Sequence, residues 1–223
     1  MGGINIIVHG FGGEPGDIQY LADYLVKNDV NISIVSLAGH GGTKKELWAT
    51  TYEDWIGSVR DEVEKHLAAA SKVNLIGFSM GGLISANLAA MLPVDKIVLI
   101  NSPIFVWNLK IILMDIFKGD REKIAYYMAS SKKTGAKPAL EFLKLLSKTK
   151  GVLGEVKASS LILQCTADET VRHKSAAYLK KKLGEKASLK YYEGGCHQVF
   201  LRAEDLRDEV CGDVARFVLF NHA

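Results

Sequence analysis

Gly77-Phe78-Ser79-Met80-Gly81 follows the apolar run Val73-Asn74-Leu75-Ile76 and precedes a small-residue segment running from Gly82 to Ala90. The series reads as strand, sharp turn, helix. Gly-x-Ser-x-Gly in that setting is a nucleophile elbow, a turn too tight for a Cβ at its two glycines that pushes the serine hydroxyl out above a sheet. Ser79 is therefore the candidate nucleophile. The Met80 N–H, the first donor at the positive end of the following helix, is a candidate oxyanion donor. A chain with 21 glycines can produce this pattern by chance, so the reading rests on what surrounds it.

Upstream, Ile4 to Val8 is a short β-branched run suited to a strand buried on both faces of a parallel sheet. It ends in His9-Gly10-Phe11-Gly12-Gly13, where glycines after a strand let backbone N–H groups face a ligand, so the Phe11 N–H is the second candidate oxyanion donor. His9 is expected to hold that loop in shape. A helix over about 17–27 and a strand over Ile32 to Leu37 lead to Gly39-His40-Gly41-Gly42, with His40 expected to be structural. Thr51-x-x-Asp54 has the form of a capping box, and Trp55, Ile56, Val59, Val63 and Leu67 make one apolar helical stripe with Trp55 in the core.

Downstream, Lys96 to Ile100 is a further strand. Strands alternating with helices predict about six mostly parallel strands flanked by helices and joined by right-handed crossovers. Reactive groups then sit at the carboxyl ends of strands. The alternation breaks between 104 and 157, where dense apolar residues at helical spacing predict a small helical cap inserted after the fourth strand of a single domain, 1–223. Phe105 and Trp107, from this cap, and Val171 are candidate pocket residues for an acyl or alcohol group. Leu161 to Gln164 and Leu189 to Tyr192 are the last strands. Asp168 lies just past the end of the first and His197 on a glycine-loosened loop after the second, with Glu169 the rival carboxylate.

Composition narrows the class. A net charge of +3 from 28 basic and 25 acidic residues argues against nucleic acid or an anionic membrane surface as partner. Three widely spaced cysteines, Cys165, Cys196 and Cys211, form neither a disulfide framework nor a zinc pattern, so no metal or cofactor is expected. With no basic n-region before the first strand and no stretch near the roughly 20 apolar residues of a membrane span, a cytoplasmic protein is expected, monomeric or homodimeric, without stable membrane insertion.

A serine hydroxyl becomes nucleophilic when a neutral imidazole accepts its proton, and a carboxylate fixes that imidazole's tautomer. Ser79, His197 and Asp168 supply the parts, each at the end of a different strand. The chain resembles the α/β-hydrolase superfamily, in particular small bacterial carboxylesterases related to monoacylglycerol lipases. The resemblance is carried by His9-Gly10-Phe11-Gly12-Gly13, Gly39-His40-Gly41, Asp54-Trp55, Gly77-Phe78-Ser79-Met80-Gly81, Asp168-Glu169 with Val171, and Gly195-Cys196-His197. It implies Ser79, Asp168 and His197 as triad, Phe11 and Met80 amides as oxyanion hole, and cofactor-free cleavage of carboxylic esters of short to medium acyl chains through an acyl-enzyme. Cys196 departs from the family, where serine or glycine is common. A monoacylglycerol lipase or thioesterase would use the same triad, and a binding protein that kept the fold and lost catalysis is the alternative from another class.

Overall fold

The computed structural model describes residues 3–69, 71–105 and 136–220. Six strands form one all-parallel sheet in the order β2-β1-β3-β4-β5-β6: β1 (Ile4–Val8), β2 (Ile32–Val35), β3 (Val73–Phe78), β4 (Lys96–Ile100), β5 (Ser159–Cys165) and β6 (Ala187–Tyr192). The helices between them are α1 (Gln19–Lys27), α2 (Lys44–Ala49), α3 (Tyr52–Ala68), α4 (Met80–Met91), α5 (Ala136–Val152) and α6 (Lys174–Leu183); α7 (Val199–Arg202) and α8 (Glu204–Leu219) follow β6.

The central strands β1, β3 and β4 are buried at every position because both faces are covered, while the edge strands β2 and β6 are partly exposed. Successive side chains point to opposite faces, so Ile6, Leu75 and Leu99 pack under α3, α4, α5 and α6, while Ile7, Ile76 and Val98 pack under α1, α7 and α8. Helix α4 runs through the middle of the first layer, and its residues from Met80 to Ala89 are all buried. That explains its small-residue sequence: bulky side chains would hold the sheet and the outer helices apart. Thr51 and Asp54 form the expected capping box of α3, and Thr43 with Glu46 form a second one on α2. Trp55 is fully buried and donates its indole N–H to Thr50 Oγ1 at 2.9 Å.

Register brings the chemistry to one edge. Val8 pairs with Gly77, Phe78 with Ile100, Ile100 with Leu163 and Cys165 with Tyr192, so the loops after β1, β3, β4, β5 and β6 emerge side by side. Of the segment 104–157, residues 106–135 lie outside the described residues, and so does Trp107. Its last helix, α5, packs on α4, where Asn87 Nδ2 donates to Thr149 Oγ1 at 2.7 Å, and it carries Leu145 and Leu146 into the core. Among the described residues, no helix is long and apolar enough to cross a membrane.

The elbow's glycines are sites of close backbone approach. A Cβ on Gly77 would sit 2.3 Å from Gly82 N, and one on Gly81 2.2 Å from Val8 O and 2.8 Å from His9 O. Neither neighbour can yield, since both are backbone atoms of the central sheet and helix. Gly81→Ala should therefore destabilise the fold by about 3 kcal/mol or more. Gly57→Ala, in α3 with nothing within 4 Å of the added Cβ, should stabilise it by about 0.5–1 kcal/mol through helix propensity. Urea unfolding of the two variants checks both signs.

Candidate active site

Ser79 occupies the turn between β3 and α4 at φ 52°, ψ −120°. This backbone region is unfavourable for a residue with a Cβ and costs on the order of 1–3 kcal/mol. The turn is held by Ser79 N–H donating to Ile100 O at 2.8 Å and by Gly82 N–H donating to Ser79 O at 3.0 Å. The strain lifts the hydroxyl from the sheet edge toward the loop after β6. There His197 Nε2 stands 3.1 Å from Ser79 Oγ, and His197 Nδ1 is 2.8 Å from Asp168 Oδ2.

The proton positions follow from the acceptors. Asp168 Oδ1 accepts from the Thr170 and Val171 N–H groups at 2.8 and 2.7 Å, so the group is a carboxylate held by backbone donors. Nδ1 must then carry the imidazole proton and donate it to Oδ2, leaving Nε2 as an acceptor for the Ser79 hydroxyl. All three residues are buried, with Ser79 8 %, Asp168 4 % and His197 5 % exposed. The ring of Phe78 packs against that of His197, tilted by 37° with centroids 5.3 Å apart.

The structure divides the two carboxylates by task. Asp168 meets the imidazole; Glu169 accepts the His197 backbone N–H at 2.9 Å through Oε2 and pairs with Arg202 at 2.9 Å through Oε1. The rival carboxylate thus anchors the histidine loop. Cys196 is half-buried, and burial together with the nearby Glu169 raises its thiol pKa. Cys165 and Cys211 are buried, and burial pushes both thiols up to about 12.

The loop after β1 comes close to the elbow: a Cβ on Gly10 would lie 3.2 Å from Ser79 Cβ. The next residue, Phe11, lines the same pocket as Ser79, and Met80 begins α4 directly after that serine. Aromatic contacts fix the Phe11 ring, at 5.7 Å from Trp55, 5.3 Å from Phe142 and 6.1 Å from His40. His9 holds the loop as expected: Nδ1 donates to Gly10 O at 2.9 Å while Nε2 accepts the Leu37 N–H at 3.2 Å, which requires a neutral ring.

Ser79 and His197 open into a pocket of about 210 Å³ whose apolar wall includes Phe11, Pro103, Phe142 and Val171. Asp17 and Gln198 add a polar side. Val171 is in place. Phe105 is not part of this wall: its ring packs 5.4 Å from Tyr178 and under the Lys150 ammonium at 5.2 Å, because Ser175 Oγ accepts its backbone N–H and turns the chain toward α6. Phe142 and Pro103 were missed; Phe142 falls on the helical stripe of α5, but helical spacing does not reveal which residue of a stripe reaches a neighbouring loop.

The alpha/beta hydrolase fold family model matches residues 6–120, and the chain belongs to that family. It is 24% identical over 225 residues to a carboxylesterase of Bacillus subtilis (strain 168), across 96% of this chain and 91% of the relative. It is 26% identical over 181 residues to a thermostable monoacylglycerol lipase of Bacillus sp. (strain H-257), across 74% of this chain and 70% of the relative. Among solved structures, one from the metagenome-derived lipolytic enzymes LipS and LipT superposes with a TM-score of 0.78 at 20% identity, over 96% of this chain and 94% of that one. A soluble monoglyceride lipase variant from Saccharomyces cerevisiae gives 0.76 at 17% identity, over 97% and 86%. These likenesses show the fold.

The two histidines beside the Phe11 loop make stability pH-dependent. Burial lowers the His40 pKa to about 4 and also lowers that of His9. Both folded pKa values lie below the unfolded value of about 6.5, so the unfolded chain takes up protons first as pH falls. Their contribution is complete above about 6.5 and is lost progressively toward about 4, at most about 3 kcal/mol for His40. The melting temperature should therefore fall as pH drops across this window, and less steeply in His40→Asn; thermal melts at stepped pH check it.

Proposed function

We propose that the protein hydrolyses carboxylic esters of short to medium acyl chains with Ser79 as nucleophile, His197 as general base and acid, and Asp168 as the group that orients and stabilises the imidazole. The observation that carries this reading is the buried relay from Ser79 Oγ to His197 Nε2 at 3.1 Å and from Nδ1 to Asp168 Oδ2 at 2.8 Å. It begins at the N-terminus of a buried helix. Membership of the alpha/beta hydrolase fold family and the carboxylesterase and monoacylglycerol lipase relatives support ester hydrolysis.

In this mechanism the Ser79 oxygen attacks the ester carbonyl as its proton passes to Nε2. The tetrahedral oxyanion is met by the Phe11 and Met80 N–H groups, the second aligned with the α4 dipole. The imidazolium, stabilised by Asp168, returns the proton to the leaving alcohol. Water, deprotonated by the same nitrogen, then attacks the acyl-serine, and as the acyl–oxygen bond breaks the proton returns from Nε2 to Ser79 Oγ and the acid is freed. Every step is served by the chain's own groups. Activity falls in acid because a protonated Nε2 can accept nothing from Ser79.

Short to medium acyl chains are favoured by the pocket: at about 210 Å³ it is smaller than the roughly 300–1,000 Å³ of sites for drug-sized ligands. A monoacylglycerol lipase is the second reading, favoured by the relative of that name.

Hydrolysis of p-nitrophenyl esters of increasing acyl length separates the two. Peak turnover is expected at about two to six acyl carbons on pocket size, and a peak beyond about ten would favour the lipase. Ser79→Ala should reduce turnover by about 10⁴-fold or more with an unchanged melting curve. Retained turnover in that variant would remove Ser79 as nucleophile.

A further inference from the structure

Beneath the relay lies a second layer of polar side chains. Asn101 follows β4 at φ 46°, in the left-handed region that Asn tolerates better than most residues, and is fully buried. Its Nδ2 donates to His197 O at 3.0 Å and to Cys196 O at 3.3 Å. Its Oδ1 accepts the Cys165 N–H at 2.9 Å and Gln164 Nε2 at 3.3 Å. Gln164, on β5 and 1 % exposed, also faces Cys165 O at 3.0 Å and Asp168 Oδ2 at 3.4 Å through Nε2, so its two N–H groups are shared among three acceptors. Neither amide can be reversed, since Asn101 Nδ2 faces two carbonyls and every partner of Gln164 Nε2 is an acceptor.

The bonds close on themselves. From Asp168 Oδ2 the path runs to Gln164, to Asn101, to the His197 carbonyl, and through the His197 ring back to Oδ2. Resting on the reading of Ser79, His197 and Asp168 as the catalytic set, we propose that Asn101 and Gln164 are positioning residues for the reaction. Asn101 fixes the His197 backbone, and Gln164 sets how strongly Asp168 holds the imidazole proton. A buried amide at each position costs desolvation that an apolar residue would avoid, and the bonds made by Asn101 Oδ1 and Nδ2 and by Gln164 Nε2 offset it.

The Gln164 donor faces the same carboxylate oxygen that receives the Nδ1 proton. It spreads part of that oxygen's charge and so tempers its pull on an imidazolium. Without it, the imidazolium gains stability, Nε2 stays protonated to higher pH, and the acid limb of activity moves up. Other charged or titratable groups facing this dyad among the described residues are Glu169 and Arg202 at the histidine backbone, Cys165 and Cys196 beside the loop, and Asp17 across the pocket. None of them is altered in the variants below.

The test is the pH profile of kcat and kcat/KM on a p-nitrophenyl ester for Asn101→Asp and Gln164→Met, with Ser79→Ala as control. Asn101→Asp keeps size and left-handed tolerance but turns an oxygen toward two carbonyls. Gln164→Met keeps length without the donor. Asn101→Asp should lower kcat by about 10- to 100-fold with KM nearly unchanged, as expected for a displaced base. Gln164→Met should move the acid limb of kcat/KM up by about half a pH unit or more.

A structural role alone would lower kcat only in step with the loss of folded protein, measured by melting curves, and leave the limb at the parent pH. Parent-like limbs in both variants, or a kcat loss fully explained by unfolding, overturn the proposal. Should Asn101→Asp fail to fold, the Gln164→Met limb decides alone. If Ser79→Ala retains activity, the catalytic reading itself falls; if it is dead while both amide variants match the parent, only this inference falls.

Discussion

A serine that must sit at positive φ depends on the main chain around it being unable to move. The turn at Ser79 is strained, and what keeps it there is backbone packed on backbone: Gly77 against Gly82, Gly81 against the end of β1, and a hydrogen bond from Ser79 to the end of β4. The cost of the turn is distributed over the parallel sheet and its buried central helix. Function and fold therefore share one interface. The residues that let α4 approach the sheet are the residues that expose the hydroxyl.

From that fixed point the relay is built in the direction of increasing negative charge. The hydroxyl meets a neutral nitrogen, and the far nitrogen meets a carboxylate that four donors surround, two of them backbone amides. Burial strengthens each contact and makes an unmatched polar atom expensive. Glu169 satisfies the His197 amide, and Asn101 its carbonyl, so the base is clamped on both sides of its Cα. On the oxyanion side the clamping is aromatic, with Phe11 wedged among Trp55, His40 and Phe142.

Much of this was legible in the sequence, for physical reasons. Continuous β-branched runs mark strands buried on both faces, and glycine at fixed offsets marks a close backbone approach, so the sheet and Ser79 could be read directly. Strand ends pointed to Asp168 and His197. Asp168 was already preferred to Glu169 there; what only geometry reveals is that Glu169 holds the His197 backbone instead. Asn101 and Gln164 carried no motif; each is a polar residue at a strand end, and the bonds from Asn101 to Gln164 and to His197 span 63 and 96 residues. Phe105 was assigned to the pocket from its apolar character, but apolar character cannot distinguish a residue facing substrate from one packed on Tyr178.

The central claim is that Ser79 is made nucleophilic by His197 in the folded protein. Its most direct test is reaction with a fluorophosphonate followed by peptide mass spectrometry, on the parent and on His197→Ala. A single adduct on the peptide containing Ser79, formed quickly in the parent and lost in the variant, is the expected result. An unlabelled Ser79, or equal labelling without the imidazole, would contradict it.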